Sequence, residues 1–333
     1  MYQFTTKIIR VIILEESSDD MKRRKIKKTV IKKGILILIP IIILIITLKT
    51  ISVIKYHKTN EYKLKKIGYS IEEIKIIETT TDENITYILN NEYNEIIDDL
   101  ISEKYFIDKN LERYINYKIN NNKELNEIVS LVNVGRDNEY YTNTKTTDTS
   151  KNELMLVNKY YYLDKTYEPQ NIITIPIRYA YSDNKTSEEI LEKYKEMFFD
   201  AEKEGIKLVI SSSYRTYEDQ EETYEYYKKI KGEENIDTYA ARPGYSEHQT
   251  GLAFDILTIG ITTTQFESTK EFKWLQENAY KYGFILRYPK DKEEITGYEY
   301  ESWHYRYVGK EAAKIIHDEN ITFDEYYAYY IEK

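Results

Sequence analysis

Residues 34–54, GILILIPIIILIITLKTISVI, impose the first constraint on this chain. The uninterrupted apolar stretch runs from Ile35 to Leu48 and continues through tolerated Thr and Ser positions to Ile54. That is about 20 residues, enough to cross a hydrocarbon layer of about 30 Å as a helix. A core helix of a soluble domain is a poor alternative, because eight Lys and Arg lie between Lys22 and Lys33. The excess of positive charge puts the N-terminal side in the cytoplasm. No small-x-small cleavage pattern follows Leu48, so an uncleaved signal-anchor is expected rather than a signal peptide. The expected order is a basic cytoplasmic segment over 1–33, a transmembrane helix over 34–54, and everything from 55 to 333 outside.

Charge follows the same division. Residues 1–33 carry +6, while the whole chain carries −9, which leaves −15 for the remainder. An acidic exterior argues against nucleic acid as a partner. The chain has no cysteine, which removes disulfides, thiolate metal ligands and cysteine nucleophiles together. Its 333 residues allow about two folded domains.

Residues 55–150 read as a helical stalk or spacer followed by a linker. Ser70-Ile-Glu-Glu73 has capping-box spacing ahead of Ile74 and Ile77. Further amphipathic patterns run through Ile96, Ile97, Leu100 and Ile101, and through Leu111, Tyr114 and Ile115. Residues 138–151 are rich in Thr, Asn and Asp without periodicity, as expected of a boundary loop. Residues 151–333 read as one α+β domain. Thr186-Ser-Glu-Glu189 is a second capping-box candidate, before a helix whose Ile190, Leu191, Tyr194, Met197, Phe198 and Ala201 share a face. Strands are expected over 208–212, 251–256 and 305–308, with a helix over 272–282 stopped by Gly283 and a closing helix over 310–317.

Two short segments carry the chemistry. The chain has four histidines, and two of them lie in Ser246-Glu-His-Gln-Thr-Gly-Leu-Ala-Phe-Asp255 and Glu301-Ser-Trp-His304. On a strand, Gly251, Ala253 and Asp255 share one face and Leu252, Phe254 and Ile256 the other. One face is bulky and apolar. The opposite face has two very small side chains and an acid, as a crowded metal pocket requires. A hydrolytic zinc ion takes three protein ligands and leaves one position for water. His248, Asp255 and His304 supply three, and Glu301 remains as the unligated base for that water. His317, near the end of a helix, suits the dipole better than a metal. Arg215, in Ser211-Ser-Ser-Tyr-Arg215 at the end of the expected strand over 208–212, has the planar fork that grips a carboxylate, and Gln220 lies five residues on.

Ser213-Tyr-Arg215, Ser246-Glu-His248 with Asp255, and Glu301-Ser-Trp-His304 together resemble the VanY-like D-alanyl-D-alanine carboxypeptidases, zinc peptidases of peptidoglycan. Ala241-Arg-Pro-Gly244 and Tyr282-Gly-Phe284 add to the resemblance, which covers about residues 154–316. It implies a compact α+β domain with a central antiparallel sheet and one zinc ion held by His248, Asp255 and His304. Glu301 would activate the water and pass its proton to the leaving amine. Arg215 would hold the substrate and stabilise the oxyanion, with Gln220 and Ser246 assisting. The implied substrate is the D-Ala-D-Ala end of a peptidoglycan stem peptide, which agrees with a membrane-anchored domain facing the cell wall. Two alternatives stay open: L,D-carboxypeptidase or endopeptidase action on the same polymer, and a non-catalytic wall-binding module with structural zinc. Glu301 separates the second from catalysis, since a structural site has no use for a spare acid. The sequence carries no signal for oligomeric state.

Overall fold

Local sequence accounts for most element boundaries in this protein. The structure, a computed structural model, describes residues 2–332, and they divide into two compact units, 1–98 and 99–333.

The first unit begins with one helix, Tyr2–His57, that runs through Pro40 without a break. From Ser18 onward it is long and apolar enough to cross a membrane, and none of its most apolar window is buried in protein. Thr47 and Thr50 donate their hydroxyls to the carbonyls of Ile43 and Ile46, four residues back. That leaves neither hydroxyl unsatisfied in an apolar surround. Three short helices follow, each started by a side-chain cap: Thr59, Ser70 and Thr81. Ser70 and Glu73 form the reciprocal capping box expected from their spacing. Leu64, Ile74, Ile77 and Ile88 close a small core.

In the second unit, a four-stranded antiparallel sheet runs in the order Val209–Ser212, Ala253–Leu257, His304–Tyr307, Phe284–Leu286. The helix Glu188–Lys203 buries the six residues read from its periodicity. Tyr194 meets Phe254 edge-on with ring centroids 5.6 Å apart, and Phe254 stacks near Phe284. Complete burial of each such ring contributes about 1.5–3 kcal/mol. The apolar face of the sheet therefore belongs to the core, and the alternation of strand side chains turns Asp255 and His304 to the other face.

Five features differ from the sequence reading. Ser187, not Thr186, caps the long helix. Thr186 is held in the short strand Lys185–Ser187, and its hydroxyl donates to the Gly251 carbonyl. The central strand starts at Ala253, because Gly251 is left-handed at φ +71° and belongs to the preceding turn. The helix over 272–282 is an α-helix, Lys270–Asn278, finished by a tighter turn, Ala279–Tyr282. Finally, residues 99–150 pack with the larger unit instead of forming a spacer with 55–98. Their amphipathic helices find partners at the C-terminus. Ser130 donates to Glu325, and Tyr105 stacks on Tyr329 at 3.9 Å. Within the stretch expected to be a loop, Lys145–Thr146 pairs with Tyr161–Tyr162.

Candidate metal centre

Three different local structures bring the site together. His248 sits on the turn Glu247–Thr250, started by Ser246, whose hydroxyl accepts from the His248 amide. Asp255 lies mid-strand, opposite His304 in the register of the two central strands. A bulge between Ile210 and Ser212 lets the edge strand meet Asp255 from its other side. Glu301 ends the loop before the last central strand, and its carbonyl accepts from the His304 amide.

The side chains converge tightly. Asp255 Oδ1 lies 3.1 Å from His304 Nδ1 and 3.5 Å from His248 Nε2. One donor atom from each of the three residues falls within 4.8 Å of the others. Ligands about 2.1 Å from a tetrahedral ion are separated by about 3.4 Å, so the donor set and its spacing fit one small divalent cation. The two rings stand perpendicular, centroids 4.9 Å apart. Glu301 Oε2 comes no closer than 3.6 Å to His304 Nδ1. It borders the donor cluster without joining it.

A second layer orients both imidazoles. His248 Nδ1 lies 2.7 Å from the Ser213 carbonyl, which can only accept, so Nδ1 carries the proton and Nε2 offers its lone pair. His304 Nε2 faces Glu247 Oε2 at 3.4 Å, which frees Nδ1 for the centre. Glu247 is fully buried, and Arg287 and Arg306 both donate to its Oε1, at 2.7 and 2.9 Å. Arg287 also grips Asp324. Sequence reasoning missed Glu247, Arg287, Arg306 and Asp324. A usable signal was the alternation of His304-Tyr-Arg306, which puts Arg306 on the same strand face as His304.

Electrostatics separates the groups. Burial, helped by Arg215, pushes His248 down to about 4, so it is a neutral donor at neutral pH. Burial opposes charge on His304 too, but hydrogen bonds to Asp255 and Glu247 lift it to about 9. Burial raises Asp255, and the two imidazoles outweigh it and hold the carboxyl below its usual range. Burial pushes Glu301 up to about 7, the range useful to an acid–base group at neutral pH.

The centre opens into a cleft of about 160 Å³ lined by Arg215, Gln220, Ser246, Tyr288, Tyr298 and Trp303, among others. Arg215 is tied to the ligand turn through its amide, which donates to the His248 carbonyl. Its Nε is buried and has no hydrogen-bond partner among the described residues. Gln220 donates to the Ala241 carbonyl, and its own side-chain oxygen has no hydrogen-bond partner among the described residues. His317 is remote from the cluster in role: it stacks on Tyr280 at 3.8 Å. A larger polar cavity of about 330 Å³ lies elsewhere, between residues 107–161 and the C-terminal segment. Its Arg113 and Lys145 are already paired, with Asp137 and Glu332.

Comparison with known proteins adds a sequence context. A family model described as VanY, D-alanyl-D-alanine carboxypeptidase, matches residues 183–310. The chain is 42% identical over 204 residues to the YodJ protein of Bacillus subtilis (strain 168), covering 57% of this chain and 75% of that one. It is 35% identical over 184 residues to VanXYC of Enterococcus gallinarum, a bifunctional D-Ala-D-Ala dipeptidase and D-Ala-D-Ala carboxypeptidase. That match covers 54% of this chain and 95% of the relative. Among solved structures, the LdcB LD-carboxypeptidase is 43% identical, with a TM-score of 0.53, over 56% of this chain and 91% of that one.

Proposed function

Because the chain belongs to the VanY family of D-alanyl-D-alanine carboxypeptidases, we propose that it is a zinc peptidase that trims the D-Ala-D-Ala end of peptidoglycan stem peptides. His248, Asp255 and His304 would hold the ion. Zinc in such a set supplies a Lewis acid that polarises the scissile carbonyl and makes water a nucleophile at neutral pH.

The chain's own groups do the rest. Glu301 takes a proton from the attacking water as its oxygen bonds to the carbonyl carbon. It then delivers that proton to the departing amine nitrogen as the C–N bond breaks. Arg215 grips the terminal carboxylate and steadies the charge that grows on the carbonyl oxygen, with Gln220 and Ser246 placing the peptide. One observation carries this reading: the Glu301 carboxylate borders a three-donor cluster, 3.6 Å from His304 Nδ1, without belonging to it. A purely structural metal site has no role for such a group.

The apolar part of the long N-terminal helix, with the basic run of residues 22–33 just ahead of it in the same helix, supports a single-pass anchor with residues 55–333 outside, facing the wall. A second reading, removal of D-Ala from an L,D bond, is favoured by the likeness to the LdcB LD-carboxypeptidase.

The test uses the full chain in detergent, loaded with zinc and incubated with muropeptides bearing pentapeptide or tetrapeptide stems. Mass spectrometry should show pentapeptide shortened by one D-alanine. Shortening of tetrapeptide alone would select the L,D reading, and no cleavage of either would sink both. Unchanged zinc content in a His248→Ala, His304→Ala double variant would remove the proposed ligands.

A further inference from the structure

A closed set of four buried charges lies behind His304. The side chains of Glu247, Arg287 and Arg306 are completely buried, and that of Asp324 is 3% exposed. Two cations and two anions balance. Arg306 is held largely by main chain: it donates to the carbonyls of Glu153, Met155 and Tyr307 as well as to Glu247. Arg287 has no such main-chain support among the described residues. One side of its guanidinium donates to Glu247 Oε1 at 2.7 Å. The other side donates to both oxygens of Asp324, at 2.6 and 3.2 Å.

The consequence concerns Glu247. With both guanidiniums on Oε1, Oε2 is left pointing at His304 Nε2. Asp324 is fixed in turn by Asn158, which donates to it at 2.8 Å, and by its place in the capped helix Phe323–Tyr326. If Asp324 were neutral, Arg287 and Arg306 would share one carboxylate in a site closed to bulk solvent. An uncompensated buried charge costs several kcal/mol unless the groups rearrange, and the group free to turn is Glu247.

We propose that Asp324 is a positioning residue for the metal centre, acting through Arg287 and Glu247 to aim the His304 imidazole. This rests on the metal-site reading above. It assigns a role in the site to the C-terminal segment, which lies outside the 183–310 match.

The experiment measures Co²⁺ binding to the full chain, wild type and variants, by competition with a chelator and by visible absorption of the bound ion. Circular dichroism serves as the folding check. Losing a ligand's own hydrogen-bond partner weakens a metal about 10- to 100-fold; Asp324→Asn, acting through that partner, should weaken Co²⁺ by up to about 10-fold and should shift the absorption bands. Asp324→Glu should restore part of both. Removing the exposed charge of Asp318, which pairs with Lys314 on the surface, should change neither. A folded Asp324→Asn protein with wild-type affinity and spectrum overturns the proposal. If that variant does not fold, the paired Arg287→Met, Asp324→Leu replacement removes the link without stranding a charge. Wild-type affinity and spectrum in the paired variant overturn it equally. Failure of the wild type itself to bind Co²⁺ would instead overturn the metal-site reading.

Discussion

Asp255 and His304 face each other across the two central strands, register partners whose side chains meet at 3.1 Å. Every other distance in the cluster depends on that pairing. A slip of one residue in either strand would turn that strand's member of the pair to the core face.

Glu301→Gln removes the proposed base and keeps the shape. Release of D-alanine should fall by about 10²- to 10⁴-fold, while bound zinc, measured by elemental analysis, stays unchanged. Full activity in this variant would rule out the proton-transfer role.

Arg215→Ala tests the grip on the terminal carboxylate. A hydrogen bond to a charged group contributes about 1.5–3 kcal/mol, so kcat/KM should fall by about 10- to 150-fold. The wild type should lose a similar factor when the peptide ends in an amide, and Arg215→Ala should cost less on that substrate than on the acid, because only its effect on the carbonyl oxygen remains to be lost. Equal losses on acid and amide substrates would contradict the assignment.

Gly251→Ala strains the turn that carries His248. The position is left-handed, and a Cβ there would stand 3.1 Å from Pro169 Cγ. The cost should be about 1–3 kcal/mol, read as a lower urea midpoint with an unchanged slope. An unaltered midpoint would show that the turn adapts freely.

Lys159 predicts a pH dependence of stability. It is 1% exposed, donates to the Asp237 carbonyl, and has its ammonium 4.2 to 5.3 Å from the rings of Tyr140, Tyr141 and Tyr298. Burial lowers it to about 7, with Asp237 opposing the shift. The three ring faces also favour the ammonium and moderate the shift. The folded chain releases this proton near pH 7, and the unfolded chain holds it until above 10. Stability should therefore rise with pH between about 7 and 10, by up to about 1.4 kcal/mol per pH unit. Lys159→Met should flatten that rise in denaturation curves taken at pH 7, 8 and 9. An identical pH slope in both proteins would show that Lys159 stays charged throughout.

The donor cluster was legible because metal chemistry demands few residue types, and this chain has few histidines. His248, Asp255, His304, Glu301, Arg215, Gln220 and Ser246 all border one cleft. The outer layer was not legible. Glu247 is one of 57 acidic residues, and nothing local marks it as buried. Its burial depends on Arg287 and Arg306, which are distant in sequence. Amphipathic helices could be read from their periodicity, but not which surface they would cover. That is why residues 99–150 looked like a spacer and yet pack on the C-terminal segment. Caps behaved similarly: Ser70 followed its local pattern, whereas a tertiary hydrogen bond from Thr186 moved the second cap to Ser187.

The register of the central strands has a last consequence, for chain entropy. Asp255 and His304 are 49 positions apart, and the intervening segment forms a loop closed only when the two strands pair. An ion bound across them favours the paired chain over the open one and stabilises it by mass action. It therefore works as a reversible cross-link. Chelation would loosen first the segment between these two residues, which would become the preferred site of proteolytic nicking while the N-terminal helix stayed intact.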